Sequence, residues 1–163
     1  MQMIANDAGI AVGTIYNYFK GKKDILDNIF LMEYENFTKC MDNIEKRNTS
    51  VPEKLNQFLE CQFEHFFNEP DTLKVIVKDI LPQQKGNDSV ELLFNKMIDR
   101  LAALITEGQE RNEIGNINPK LFAYAILNVV MVIVYMYFSN DTLFGYGEAR
   151  EQIIGLFMNF AKR

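Results

Sequence analysis

The run Leu121–Phe138, LFAYAILNVVMVIVYMYF, holds one strongly polar side chain, the amide of Asn128. No other feature constrains the chain as much, because a helix this apolar must be withdrawn from water over most of its circumference. Its length stands at the short end of what spans a bilayer. The run ends in tyrosines, carries an amide at mid-depth, and has amphipathic neighbours whose polar faces expect water. A lone spanning helix would also leave the apolar faces of those neighbours without a partner. The reading is a helix buried in a bundle core or a subunit interface, with no membrane as partner.

The rest of the chain repeats with a helical period. Ile25, Ile29, Phe37, Met41 and Ile44 predict a long helix from about Lys22 to Lys46. Asn48-Thr49-Ser50 breaks it. Leu55, Phe58, Leu59, Phe63, Phe66 and Phe67 mark a second amphipathic helix. Pro70 suits the first position of a short helix that ends before Pro82. Asp88 followed by Glu91 resembles a capping box. It opens a helix through Val90, Phe94, Met97, Leu101, Leu104 and Ile105, whose end Gly108 and Gly115 loosen. Asn118-Pro119 is a cap followed by a first-position proline, and predicts a helix from Lys120 to Phe138. A turn over Asn140–Gly147 leads to a last helix, Glu148–Ala161. No stretch alternates as a strand does, and glycine (9) and proline (4) are scarce. The fold class expected is all-α.

Residue counts exclude much chemistry. One histidine, His65, leaves little room for acid–base or nucleophilic catalysis, and a paired Glu-x-x-His di-iron site needs two. Cys40 and Cys61 stand 21 residues apart and make no metal-like pair, so free thiols in a reducing cytoplasm are expected. Cys61 and His65 share a helix face but have no third ligand nearby in sequence. The expectation is no enzyme, no metal and no cofactor.

The first 25 residues carry the functional signal: MQMIANDAGIAVGTIYNYFKGKKDI. Ile4, Ala5 and Ala8 predict a short helix with a small apolar face. Gly9 supplies a sharp turn, since it tolerates positive φ. Ala11–Phe19 is a second short helix, with Ile15 and Phe19 on one side and Gly13, Thr14, Tyr16, Asn17 and Tyr18 elsewhere. Two short helices joined by a glycine turn have a helix-turn-helix shape. The glycine near the second helix's start lets backbone approach a groove. Thr14 and Asn17 can hydrogen-bond base edges or phosphates, and the tyrosines can reach phosphates and sugars. Lys22 can pair with a phosphate at the positive end of the next helix. The charge split agrees: Lys20, Lys22 and Lys23 against Asp7 give residues 1–23 a net +2, within a chain of net −5.

This run is similar to the TetR family of bacterial one-component transcriptional regulators. The resemblance lies in Ile4-Ala5-x-x-Ala8-Gly9-Ile10, Gly13-Thr14-Ile15-Tyr16-x-Tyr18-Phe19 and Lys22-Lys23-Asp24-Ile25-Leu26. It implies an all-helical homodimer whose N-terminal heads read a palindromic operator on double-stranded DNA and whose C-terminal bundle binds a small-molecule inducer. By resemblance, Val12, Gly13, Thr14, Tyr16, Asn17, Tyr18 and Lys22 face DNA, while Ile4, Ala8, Ile15 and Phe19 form the head's core. The last two long helices would make the dimer's four-helix bundle through Leu127, Val130, Ile133, Val134, Tyr137, Ile153, Phe157 and Phe160. Residues 1–45 are expected to form the head and connecting helix, and residues 46–163 the ligand-binding and dimerisation domain. Three departures from the family stand out. A helix of about twenty residues that the family places before the motif is not in this sequence; Ala11 replaces a frequent serine cap; Val12 replaces a polar or basic residue.

The resemblance puts an inducer site inside the middle helices. An apolar site with few polar anchors is expected, with Phe58, Phe66, Met97, Leu101 and Tyr124 as walls and Gln62, His65 and Asn128 as orienting groups. Asn128 would alternatively set register across a dimer seam. The expected function is a DNA-binding repressor controlled by a small, mostly apolar ligand. The alternative is a helical ligand-binding or dimerisation module without DNA binding.

Overall fold

The computed structural model describes residues 1–83, 86–139 and 144–161, with the side chains of Gln83, Phe160 and Ala161 outside the described set. Eight α-helices run along them: α1 (Gln2–Asp7), α2 (Val12–Tyr18), α3 (Lys22–Glu45), α4 (Val51–Asn68), α5 (Pro70–Val75), α6 (Asp88–Glu110), α7 (Pro119–Phe138) and α8 (Tyr146–Ala161). A π-turn (Ile76–Ile80) and a 3₁₀ turn (Leu81–Gln83) follow α5. No strand occurs among the described residues.

Several helix ends are written in the sequence. Ser50 caps α4, accepting from the Glu53 amide at 3.4 Å, so the helix starts earlier than its apolar pattern suggests. Asn118 caps α7 through the Leu121 amide at 3.0 Å, with Pro119 in the first position. The capping box expected at Asp88 does not form. Asp88 is already helical, and the cap position falls to Asn87, whose side chain instead donates to Asp27 and accepts from Lys23 of α3. A tertiary bond has displaced the local one. Gly108 also differs from expectation: it lies within α6, and a Cβ there would meet Ile114 at 2.7 Å and Val51 at 2.9 Å. It is a close-packing glycine rather than a helix breaker. Gly9 has the positive φ the turn requires, +67°.

α3 and α4 form an antiparallel hairpin. Contacts step outward from its loop, from Lys54 to the Glu45 carbonyl, through Cys61 against Cys40, to His65 against Glu33. Cys40 and Cys61, expected as separate thiols, lie side by side across the hairpin with Cα atoms 6.8 Å apart. Twenty-one residues of separation along a hairpin bring them side by side, which spacing alone does not reveal. Arg100 of α6 ties back to α3 through Asp42 (2.5 Å) and Glu45 (2.7 Å). α8 closes on α4 through the Tyr146 hydroxyl, which donates to the Phe63 carbonyl at 2.9 Å, and through the Arg150–Glu60 pair.

α7 is the one described helix long and apolar enough to cross a membrane. In this fold it packs against α6, α4, α5 and α8. Ala123, Ile126, Leu127, Val130, Met131 and Val134 are buried on it. Leu121, Tyr124 and Val132, with Leu156 of α8, remain exposed.

Candidate functional site

Two features stand out, one just before α3 begins and one along its middle. The first is the face of α2. Within the head, Ala5 and Ile15 are buried. Gly13, Thr14, Tyr16, Asn17 and Tyr18 are exposed and Val12 is half-buried; Tyr16 and Tyr18 keep 54% and 76% of their surface. Exposed tyrosine hydroxyls are free to reach phosphates, as the sequence led us to expect. The expected head core is only partly assembled: Ile15 is buried, Phe19 half-buried, and Ile4 and Ala8 are exposed. The α1–α2 pair buries Ala5 where the sequence reading placed Ile4 and Ala8.

Lys22, the cation expected at a DNA phosphate, opens α3. Its ammonium is exposed and donates to Asp79 at 3.0 Å. Beside it, Lys23 pairs with Asp27 at 2.8 Å and donates to the Asn87 amide oxygen at 3.0 Å. Burial pushes the Asp27 carboxyl up, but the hydrogen bonds from Lys23 and Asn87 outweigh it and the net direction is down.

The second feature is a small, partly enclosed cavity of about 20 Å³ inside the bundle, room for roughly one water. α3 contributes Phe30, Glu33 and Phe37, and α4 contributes Gln62, His65 and Phe66. Ile76 closes one side, and Phe94, Met97, Leu127 and Met131 complete the wall from α6 and α7. The wall is apolar except for Glu33, Gln62 and His65. Glu33 and Gln62 are 7% and 5% exposed. Glu33 and His65 meet at 2.7 Å. The hydrogen bond to Glu33 raises the His65 pKa above 6.5, against the opposing effect of burial, and Glu69 adds to the rise. The same two residues also line an open surface groove with Ile29, Met32, Asn36, Glu69 and Thr72. The pair therefore borders both the cavity and the outer groove.

Of the expected ligand residues, Gln62, His65, Phe66 and Met97 reach the cavity. Phe58 and Leu101 are fully buried in the surrounding core, Phe58 edge-on to Phe37. Tyr124 stacks edge-on to Phe94 from outside, and Asn128 donates to the Tyr124 carbonyl on its own helix. Sequence reasoning missed the α3 wall. A signal was there: Glu33 sits at helical spacing between Phe30 and Phe37, a charge on an apolar stripe.

Of the expected dimer residues, Leu127, Val130, Val134 and Phe157 are already covered within one chain. Ile133, Tyr137 and Ile153 are half-buried. Phe160 lies on α8, its side chain outside the described set.

Known proteins share this fold. The family model for bacterial regulatory proteins of the tetR family matches residues 1–29. The fatty acid metabolism regulator protein of Bacillus subtilis (strain 168) is 28% identical over 144 residues, covering 85% of this chain and 72% of its own length. The crystal structure of FadR from Bacillus subtilis in complex with stearoyl-CoA superposes with a TM-score of 0.78 at 23% identity, over 96% of this chain and 86% of that one. AibR, crystallised with isovaleryl coenzyme A and operator DNA, superposes with a TM-score of 0.75 at 15% identity, over 95% and 84%.

Proposed function

The chain belongs to the TetR family of bacterial regulatory proteins, and from that premise we propose that it is a cytoplasmic, homodimeric transcriptional repressor whose operator binding is controlled by an acyl-type ligand in the bundle. One observation carries the reading: a single helix, α3, opens on the exposed Lys22 and further along contributes a wall of a small apolar cavity. The proposed DNA face is Val12, Gly13, Thr14, Tyr16, Asn17, Tyr18 and Lys22. Residues 1–45 form the reading unit and residues 46–163 the sensing and dimerising unit, with α3 serving both. The dimer would use the α7–α8 face where Leu121, Val132 and Leu156 are exposed.

The ligand class is supported by the relatives. One is a fatty acid metabolism regulator, and solved neighbours were crystallised with stearoyl-CoA and isovaleryl coenzyme A. The cavity chemistry agrees in that an alkyl chain suits Phe30, Phe66, Phe94 and Met131. A volume of about 20 Å³ does not hold a long chain. Binding therefore selects a more open bundle, with Met97 and Met131 as its adaptable walls. Opening displaces α3, and the two heads of a dimer no longer match successive major grooves, about 34 Å apart.

Fluorescence anisotropy of the chain on labelled duplex from upstream of its own gene tests this, with and without stearoyl-CoA. Expected is nanomolar-range binding that falls with salt, survives nonspecific competitor, and weakens when stearoyl-CoA is added. A folded dimer that ignores DNA at every salt concentration would favour a sensing module without a DNA target.

A further inference from the structure

The cavity and the reading head meet at one short stretch. After α5 the backbone widens into the π-turn Ile76–Ile80, a rare form that recurs at functional sites. Its first residue, Ile76, is buried and belongs to the cavity wall. Three residues on, Asp79 faces outward and accepts from the Lys22 ammonium at 3.0 Å. Ile80 then joins Leu26 and Pro82 in a surface groove whose polar members are Lys22, Lys23, Asp79 and Asn87. So the sensing body supplies a carboxylate to the very lysine that the head would offer to DNA.

Two anions then want one cation. A phosphate on DNA can take the Lys22 ammonium only by displacing Asp79 or by sharing it, and sharing sets a carboxylate beside a phosphate. The side chains in the pair are 64% and 37% exposed, so the bond is weak and breakable. The neighbouring lysine is not similarly held by a body carboxylate: Lys23 pairs with Asp27 on its own helix and with the neutral Asn87 amide.

We propose that Asp79 is an internal competitor for the DNA phosphate at Lys22, so that the sensing body attenuates DNA affinity by occupying one of the head's cations. This rests on reading the chain as a DNA-binding regulator. Because Asp79 lies on the turn that also walls the cavity, the competitor belongs to the element that a ligand would move.

The test is a double-mutant cycle in the full chain, using a labelled random-sequence 30-base-pair duplex at low salt, since phosphate contacts do not depend on sequence. Asp79→Asn should bind about two- to fivefold more tightly than the parent, the range of an exposed ion pair. In a Lys22→Ala background the same substitution should change nothing. Asp71→Asn, which removes an exposed carboxylate paired locally with Lys74, reports the effect of net charge alone and should fall well short of Asp79→Asn. An equal gain with and without Lys22, or a gain matched by Asp71→Asn, would reduce Asp79 to general charge. Weaker binding by Asp79→Asn would make it a support for Lys22, and the competition would be refuted. If the parent binds no duplex at any salt concentration while remaining folded, the regulator reading fails along with it. Parent binding with an indifferent Asp79→Asn overturns only the competition.

Discussion

The head and the body of this molecule spend their apolar residues in opposite ways. In the body, α3, α4, α6 and α7 share one continuous core, with Phe58, Phe63, Leu101, Ile105 and Ile126 at or below 1% exposure. In the head, Ala5 and Ile15 are buried while Met3, Ile4, Ile10, Tyr16 and Tyr18 stay open. The body is organised to exclude water and the head to present a surface. Stability should therefore reside in the first and recognition in the second, and substitutions should separate the two.

The largest effect belongs to the body. Phe58→Ala empties a fully buried site beside Phe37, and such truncations cost about 3–5 kcal/mol. In a domain of this size that lowers Tm by roughly 10 °C. Ile15→Ala in the head should leave the main thermal transition within about 2 °C, because few core contacts depend on it. Calorimetry on both variants checks the contrast; equal losses would show that head and body melt as one unit.

Next comes the body's outer apolar face. Val132→Asp with Leu156→Asp puts charges on α7 and α8 at exposed positions. If that face is the dimer seam, dimer affinity should drop about a hundredfold, since uncompensated charges buried at an interface cost several kcal/mol. Helix content should be retained. Sedimentation equilibrium reads both states. A dimer of parental strength would move the seam elsewhere on α7 and α8.

Recognition is smaller in energy. Tyr16→Ala with Lys22→Ala should weaken binding to the upstream duplex about tenfold and flatten its salt dependence by about one counterion. Tm and stearoyl-CoA affinity should not move. Loss of thermal stability in that variant would mean that the α2 face is structural.

What the sequence revealed follows the same division. Helix count, order and most ends were legible because they depend on local signals: Asn118-Pro119, Gly9 and the period of the apolar residues. The capping box at Asp88 failed because Asn87 found partners 60 and more residues away, which no local rule contains. The antiparallel α3–α4 register, which joins Cys40 to Cys61 and Glu33 to His65, is likewise a tertiary fact. Gln62, His65, Phe66 and Met97 were legible as cavity-lining residues because they share the α4 and α6 core faces. The α3 wall was missed because α3 was assigned to the head, although its charge among phenylalanines marked it. The π-turn has no sequence signature that the helix rules read.

The smallest effect lies where the two regions share a helix, at Glu33 and His65. The hydrogen bond to Glu33 favours the protonated imidazole, so the folded-state pKa of His65 stands above its ordinary 6.5. A raised pKa means that the folded chain binds the proton more tightly than the unfolded one. The stabilisation is then fully present below about pH 6.5 and is lost as pH rises through the folded-state value. Glu33→Gln removes the charge that raises it. The parent should therefore exceed Glu33→Gln in Tm by about 2–4 °C at pH 6, the equivalent of about 1 kcal/mol in a domain of this size. That margin should shrink toward zero by pH 9. A margin that is flat across this range would show that Glu33 contributes through packing and neutral hydrogen bonding, with no proton linked to folding. A margin that grows with pH would reverse the sign and place a neutral imidazole beside Glu33. Because the pair borders both the cavity and the outer groove, the first outcome bears on the proposed ligand site. A ligand chain that parts Glu33 from His65 must also meet the cost of the lost ion pair, so stearoyl-CoA should bind the parent more weakly at pH 6 than at pH 9, and Glu33→Gln should level that difference.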